Sequence, residues 1–180
     1  MPDLFQPFSV SESSIRRAME NAVVPVTILT RTAVAQSQFR AAQEAANKAG
    51  KNLKFGDKIG RVREVIVADT DAEAEGIARN VGSIVWCNFF APFGFNAAVA
   101  APGEGPFDVP NTRESMAERG LVIYGSPDTV NRKLDNLFKD LPAEYFWMFT
   151  YNGLIAQQQM MRHLELVTTK VLSNFTGTLC

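Results

Sequence analysis

Four times along its 180 residues the chain runs a short apolar stretch into a helix-start signal or a loop, and then into a helix. A parallel neighbour cannot be reached by a tight hairpin, so strands alternating with helices require a parallel sheet with right-handed crossovers. The fold class is therefore α/β. Leu4 to Val10 forms the first expected strand, and Ser9 with Glu12 has the S-x-x-E spacing of a capping box at a helix start. Ile15, Ala18, Met19 and Ala22 then share one helix face, leaving Arg16, Arg17 and Glu20 to solvent. Val23 to Leu29 is almost wholly apolar and rich in Val, as suits a parallel strand covered on both faces. Thr32 to Ala49 is an alanine-rich helix stopped by Gly50.

Ile59 to Ala68 is the third strand, and Thr70 to Glu73 opens its helix with a second capping box. Ser126 caps a further helix with Pro127 at its first position, where a missing amide costs nothing; its buried stripe is Val130, Leu134, Leu137, Phe138 and Leu141. Glu144 to Tyr151 is the fourth strand, and the last helix is expected to bury Met161, Leu164, Thr168, Val171, Leu172 and Phe175. A (β/α)8 barrel has eight such units and typically about 250 residues. Four units in one domain over residues 1–180 amount to half of one.

Composition excludes more than it identifies. With 46% apolar and 21% charged residues the chain reads as a globular protein, and a net charge of −1 with mixed signs offers no basic face for nucleic acid. No run of 18 apolar residues points to a membrane span, and the Met-Pro-Asp start lacks the features of a secretion signal, so a cytoplasmic location is expected. Cys87 and Cys180 make neither a disulfide framework nor a metal motif. Asp69, Asp71, Glu73 and Glu75 crowd a helix start, where the macrodipole favours acids without any metal. Gly103 and Gly105 lack the flanking strand and helix of a dinucleotide fingerprint. Arg61 and Arg63 alternate near the start of the third strand, the end of a barrel associated with stability. His163, the only histidine, sits beside the stripe of the last helix and reads as structural or surface.

One segment breaks the alternation. Residues 82–111, within an insertion or mobile loop spanning 82–120, are dense in aromatics and then in Gly and Pro, with almost no charge before Glu104. Long stretches of this kind are often lids or binding loops, and the aromatic content argues against disorder. Trp86, Phe89, Phe90 and Phe93, with Phe95, either wall an apolar substrate pocket or pack a core or subunit interface, and such clusters are more often core or interface.

The stretches QPFSVS at 6–11, VVPVTIL at 23–29, VADTDAEA at 67–74, YGSPDTVNRKL at 124–134, and EYFWMFTYNG with LELVTTKVLSNF together resemble the C-terminal half of the flavin-dependent luciferase-like monooxygenases. The resemblance covers nearly the whole chain outside the aromatic segment. It implies a parallel half of a TIM barrel with FMN, used as reduced FMN, at the carboxyl ends of the strands, dioxygen as co-substrate, and a small hydrophobic organic substrate. It implies that Phe8, Ser9, Val10 and Ser13 contact the flavin phosphate, although Glu12 departs from what a phosphate site prefers, and that the aromatic segment closes over the flavin to exclude water. The family's catalytic histidine and phosphate-gripping arginine lie in the barrel half this sequence lacks, so no catalytic residue is assigned. A flavin reductase, and either a second copy or a chain carrying the other half, are the implied partners. The alternative is a non-catalytic flavin-binding or structural half-barrel acting only as an oligomer, because open edges at Leu4 to Val10 and Glu144 to Tyr151 demand cover.

Overall fold

A computed structural model describes residues 3–8, 10–150 and 153–175. In chain order these contain β1 (Leu4–Phe8), α1 (Glu12–Glu20), β2 (Val23–Ile28), α2 (Thr32–Lys48), β3 (Gly60–Val67) and α3 (Asp71–Val81). Short π and 3-10 turns follow over Trp86–Phe90, Ala91–Phe93 and Phe95–Ala98. Then come α4 (Arg113–Glu118), β4 (Val122–Gly125), α5 (Pro127–Asp140), β5 (Tyr145–Phe149) and α6 (Gln157–Leu166), which runs on through a π turn at Val167–Val171.

All strand pairs are parallel. β1 lies beside β2 with Leu4 opposite Val23, and β2 beside β3 with Val26 opposite Gly60. The lower half of β3, Gly60 to Glu64, pairs with β5, while its upper half, Glu64 to Val67, pairs with β4. Alternation then divides the strands into two faces. Val65, Val67, Phe146 and Met148 pack under α5 and α6 against Val130, Leu134, Leu166 and Val171. Phe8 faces the same helical layer, where Ile15, Met19, Phe39, Ala42 and Leu141 form a second core. The opposite, concave face carries Phe5, Val24, Val26, Gly60, Val62, Glu64, Tyr145, Trp147 and Phe149.

The sheet curls enough for its first and last strands to touch across that concave face. The Phe5 ring lies 4.9 Å from Tyr145 and 5.1 Å from Trp147, both edge-on. Below them Tyr145 donates to Asp3 at 2.7 Å, and Lys58 Nζ bonds Glu144 at 3.0 Å. Together these groups floor the half-barrel. Its outer edge is left bare, with Leu4 65% and Phe5 39% exposed.

Four expectations need correction. The strands number five among the described residues, because Val122–Gly125 adds a short one that four residues of pattern do not announce. β1 stops at Phe8, and the cap of α1 is Ser11, whose Oγ accepts the Ser14 amide at 3.2 Å; Ser9 lies outside the described residues. In a serine-rich run several caps compete, and the one chosen is the one that turns Ile15, Ala18 and Met19 inward. Residues 86–98 of the aromatic segment form a series of tight helical turns packed on a core shared with Leu29, Met116 and Leu121, and only residues 99–112 stay irregular. Finally, Met161 and Leu164 of α6 are 60% and 39% exposed and Thr168 is also exposed, while His163, Leu166 and Val167 are buried. Val171 is buried as expected and Leu172 and Phe175 pack against the same core, so the difference is confined to the earlier turns, where the sheet takes His163, Leu166 and Val167 instead.

Candidate functional site

The carboxyl ends of β1, β2, β3 and β5 meet at the upper rim of the concave face. On that face Ile28, Val62 and Phe149 are half-buried apolar groups. Glu64 is the only charged side chain at the inward positions of the five strands. It is 5% exposed, and its Oε2 accepts the backbone amide of Ser83 at 2.7 Å. Ser83 is buried at φ 56°, in the left-handed region where non-glycine residues are uncommon, so its backbone is held there by its surroundings. A lone carboxylate in an otherwise apolar inward row is the signal that the sequence reading passed over.

Of the four residues proposed to contact a phosphate, three are described and they differ in what they present. Phe8 packs into the helical layer and can offer only its backbone to the rim, whereas Val10 and Ser13 are exposed. Ser13 Oγ lies 3.1 Å from Ser11 Oγ, which also bonds Ser14 Oγ at 2.8 Å, so a cluster of hydroxyls surrounds the start of α1. The first amides of a helix have no partner within it. Ser11 takes those of Ser14 and Ile15, and those of Glu12 and Ser13 have no partner among the described residues. Glu12 is exposed in that first turn and disfavours an anion unless it points away.

The aromatic segment roofs the end of β2. Trp86 is fully buried with Leu29, Val99, Val109, Met116 and Leu121, so it serves as core and not as a pocket wall. Rings step outward from it: Phe90 stacks on Trp86 at 5.4 Å, Phe89 meets Phe90 edge-on at 5.2 Å, and Phe93 lies 5.3 Å from Phe89. Phe89 and Phe93 end the series 55% and 70% exposed. The segment is tied down by the Arg31 amide on Ala98 O at 2.9 Å and by a two-pronged Arg119–Glu104 pair. The Arg119 guanidinium, with the Ala101 amide, holds the Glu104 carboxyl down to about 2.

The acids at the start of α3 have protein partners. Asp69 pairs with Arg162, and Asp71 accepts from the Ser126 amide at 2.6 Å and from Thr129 Oγ1 at 3.0 Å, tying the loop after β3 to the start of α5. Gly125 is needed at that junction: its φ is +152° and a Cβ would lie 2.6 Å from Thr129. Arg61 and Arg63 do not serve the lower end as expected, because both reach upward on the helix side to Thr32 and Thr30.

His163 is buried, and its Nδ1 accepts the Val67 amide at 2.9 Å, which requires that nitrogen to be unprotonated. Burial pushes its pKa below the ordinary 6.5. A base depressed in the folded state contributes stability that is full above the unfolded value and is lost as pH falls from there through the folded one. No other histidine is present, so this window is clean. Thermal melts should therefore lose more stability between about pH 7 and 5 in the parent than in His163→Leu. The same variant should cost about 1–3 kcal/mol at pH 7 by stranding the Val67 amide. An unchanged pH dependence in His163→Leu would refute this role.

Among the described residues no helix is long and apolar enough to cross a membrane. Comparison with protein-family models and with curated proteins gives no match. Solved structures do match. The oxygenating constituent of 3,6-diketocamphane monooxygenase from Pseudomonas putida, a type II Baeyer-Villiger enzyme in complex with FMN, aligns with TM-score 0.73 and 23% identity over 94% of this chain and 48% of its own. A monooxygenase from Streptomyces bottropensis aligns at 0.68 and 15%, over 97% of this chain and 49% of its own. The EDTA monooxygenase of a Chelativorans species aligns at 0.63 and 16%, over 98% and 44%. The chain thus spans about half the length of these structures, and its fold is that of half their barrel.

Proposed function

We propose that this chain is the carboxyl-terminal half of an FMN-dependent monooxygenase, completed by a partner that supplies the remaining strands. The observation that carries the reading is the half-barrel likeness to a monooxygenase with FMN bound, together with a hydroxyl-lined helix start at the end of β1. The amides of Glu12 and Ser13, the Ser13 hydroxyl, and the backbone of Phe8 to Val10 would hold the flavin phosphate. Bound there, reduced FMN would supply the electrons that activate dioxygen toward a small hydrophobic substrate. Ile28, Val62 and Phe149 present an apolar wall to that substrate, and Phe89 and Phe93 offer exposed rings above it. The anchored aromatic segment keeps water from the rim. Glu64 holds the first turn of that segment against β3. A flavin reductase is the expected source of reduced flavin.

A second reading is favoured by the bare β1 edge and the exposed Met161–Leu164 stripe: a half-barrel that binds flavin without turnover and is stable only as an oligomer. Titrating FMN fluorescence with the purified chain, alongside a size measurement, tests both. Saturable quenching is expected, with Ser13→Glu weakening it ~10-fold or more by placing a second carboxylate at the helix start. Reductant-dependent oxygen uptake then distinguishes enzyme from binder. Absence of quenching at high protein concentration would remove both readings.

A further inference from the structure

Arg61 and Arg63 are both 0% exposed, two residues apart on the helix side of β3. Among the described residues their hydrogen bonds go only to neutral oxygens. Arg61 Nη2 donates to Thr32 Oγ1 at 3.0 Å, while Arg63 donates to Val62 O at 3.0 Å and to Thr30 O. Arg61 Nε and Nη1 and Arg63 Nε have no partner among the described residues, and neither arginine takes part in an ion pair there. Asp140 lies near enough to favour the Arg61 charge without pairing with it. Thr32 is the first residue of α2, a 17-residue helix whose start has no side-chain cap, so its positive end adds to the same spot.

Two buried cations side by side, neither in an ion pair and with Asp140 the one nearby charge acting on Arg61, are costly by several kcal/mol and repel one another. We propose that a small monovalent anion of chloride's size and charge is bound between the Arg61 and Arg63 guanidinium groups at the amino end of α2. Its charge closes the balance, since Asp140 offsets one arginine and leaves the other. A divalent phosphate would overshoot that balance, and it would bring its own tightly held water into a place where Thr27 and Thr30 are also fully enclosed. The site is distinct from the concave face and does not depend on the flavin reading. It would serve to hold β3 against the turn after β2, the turn from which Arg31 anchors the aromatic segment.

The test uses the intact chain with chloride and bromide as probes. The chloride NMR line width should broaden saturably with protein and return to the bulk value in Arg63→Met. The Tm should rise by about 3–5 °C for each tenfold increase in chloride above its Kd, and not with gluconate at equal ionic strength. Crystals of the parent grown in bromide should show an anomalous peak within hydrogen-bonding distance of both guanidinium groups, a result that holds even if the variant fails to fold. Equal Tm in chloride and gluconate, or a bromide-grown crystal with no peak between the two arginines, would overturn the proposal.

Discussion

Trp86→Ala is expected to cost about 3–5 kcal/mol of folding stability, the range for removing a fully enclosed aromatic ring. The ring is 0% exposed, and its neighbours come from the end of β2 and from both ends of the aromatic segment. Its loss therefore leaves a void whose lining belongs to one local unit. The remaining ties, Arg31 to Ala98 and Arg119 to Glu104, lie near the surface or in backbone, and they do not fill volume. Residues 82–121 should open before the sheet does. Hydrogen exchange should show the Arg31 amide losing protection while those of β2 and β3 keep theirs, and urea unfolding should give the total loss. A loss under about 1 kcal/mol would mean the segment does not depend on this ring.

Gly60→Val is expected to destabilise by about 3 kcal/mol through crowding. A Cβ at Gly60 would stand 2.3 Å from Trp147 Cζ3 and 3.0 Å from Val26 Cγ2. The glycine is there for space, because its backbone is ordinary extended strand. To admit the new side chain the Trp147 ring must leave Phe5 and Tyr145, with which it floors the half-barrel. The variant should shift Trp147 fluorescence and lower the urea midpoint, and Trp147→Leu in the same background should recover part of the loss by making room. Unchanged stability in Gly60→Val would show that the floor is not packed as described.

What could be read ahead of the structure follows from what covers each element. β2 was legible because both its faces are buried, which forces a continuous apolar run. The Thr70 cap was legible because a hydroxyl accepting the Glu73 amide depends only on local spacing. β4 was missed because Val122–Gly125 is too short to show a period, and the turns at 86–98 because π and 3-10 geometry has no 3.6-residue signature. The face of α6 was misjudged for a different reason. Met161 with Leu164 and Leu166 with Val167 are equally apolar, and only the position of the sheet decides between them. Glu64 was passed over because an acid within VREVIV looks like a solvent-facing residue until the register turns it inward. The phosphate contacts rest on Val10 and Ser13 being exposed at the rim, a placement that spacing alone does not establish.

The division of β3 between two later partners bears on how the protein is made. Its upper half waits for Val122–Gly125 and its lower half for Tyr145–Phe149, both synthesised long after β3 itself. A nascent chain must therefore carry β3 paired only to β2, over Gly60 to Val62, until those later segments emerge, an interval in which the open strand is vulnerable to aggregation. Slow codons or a holding chaperone would matter most before β5 leaves the ribosome.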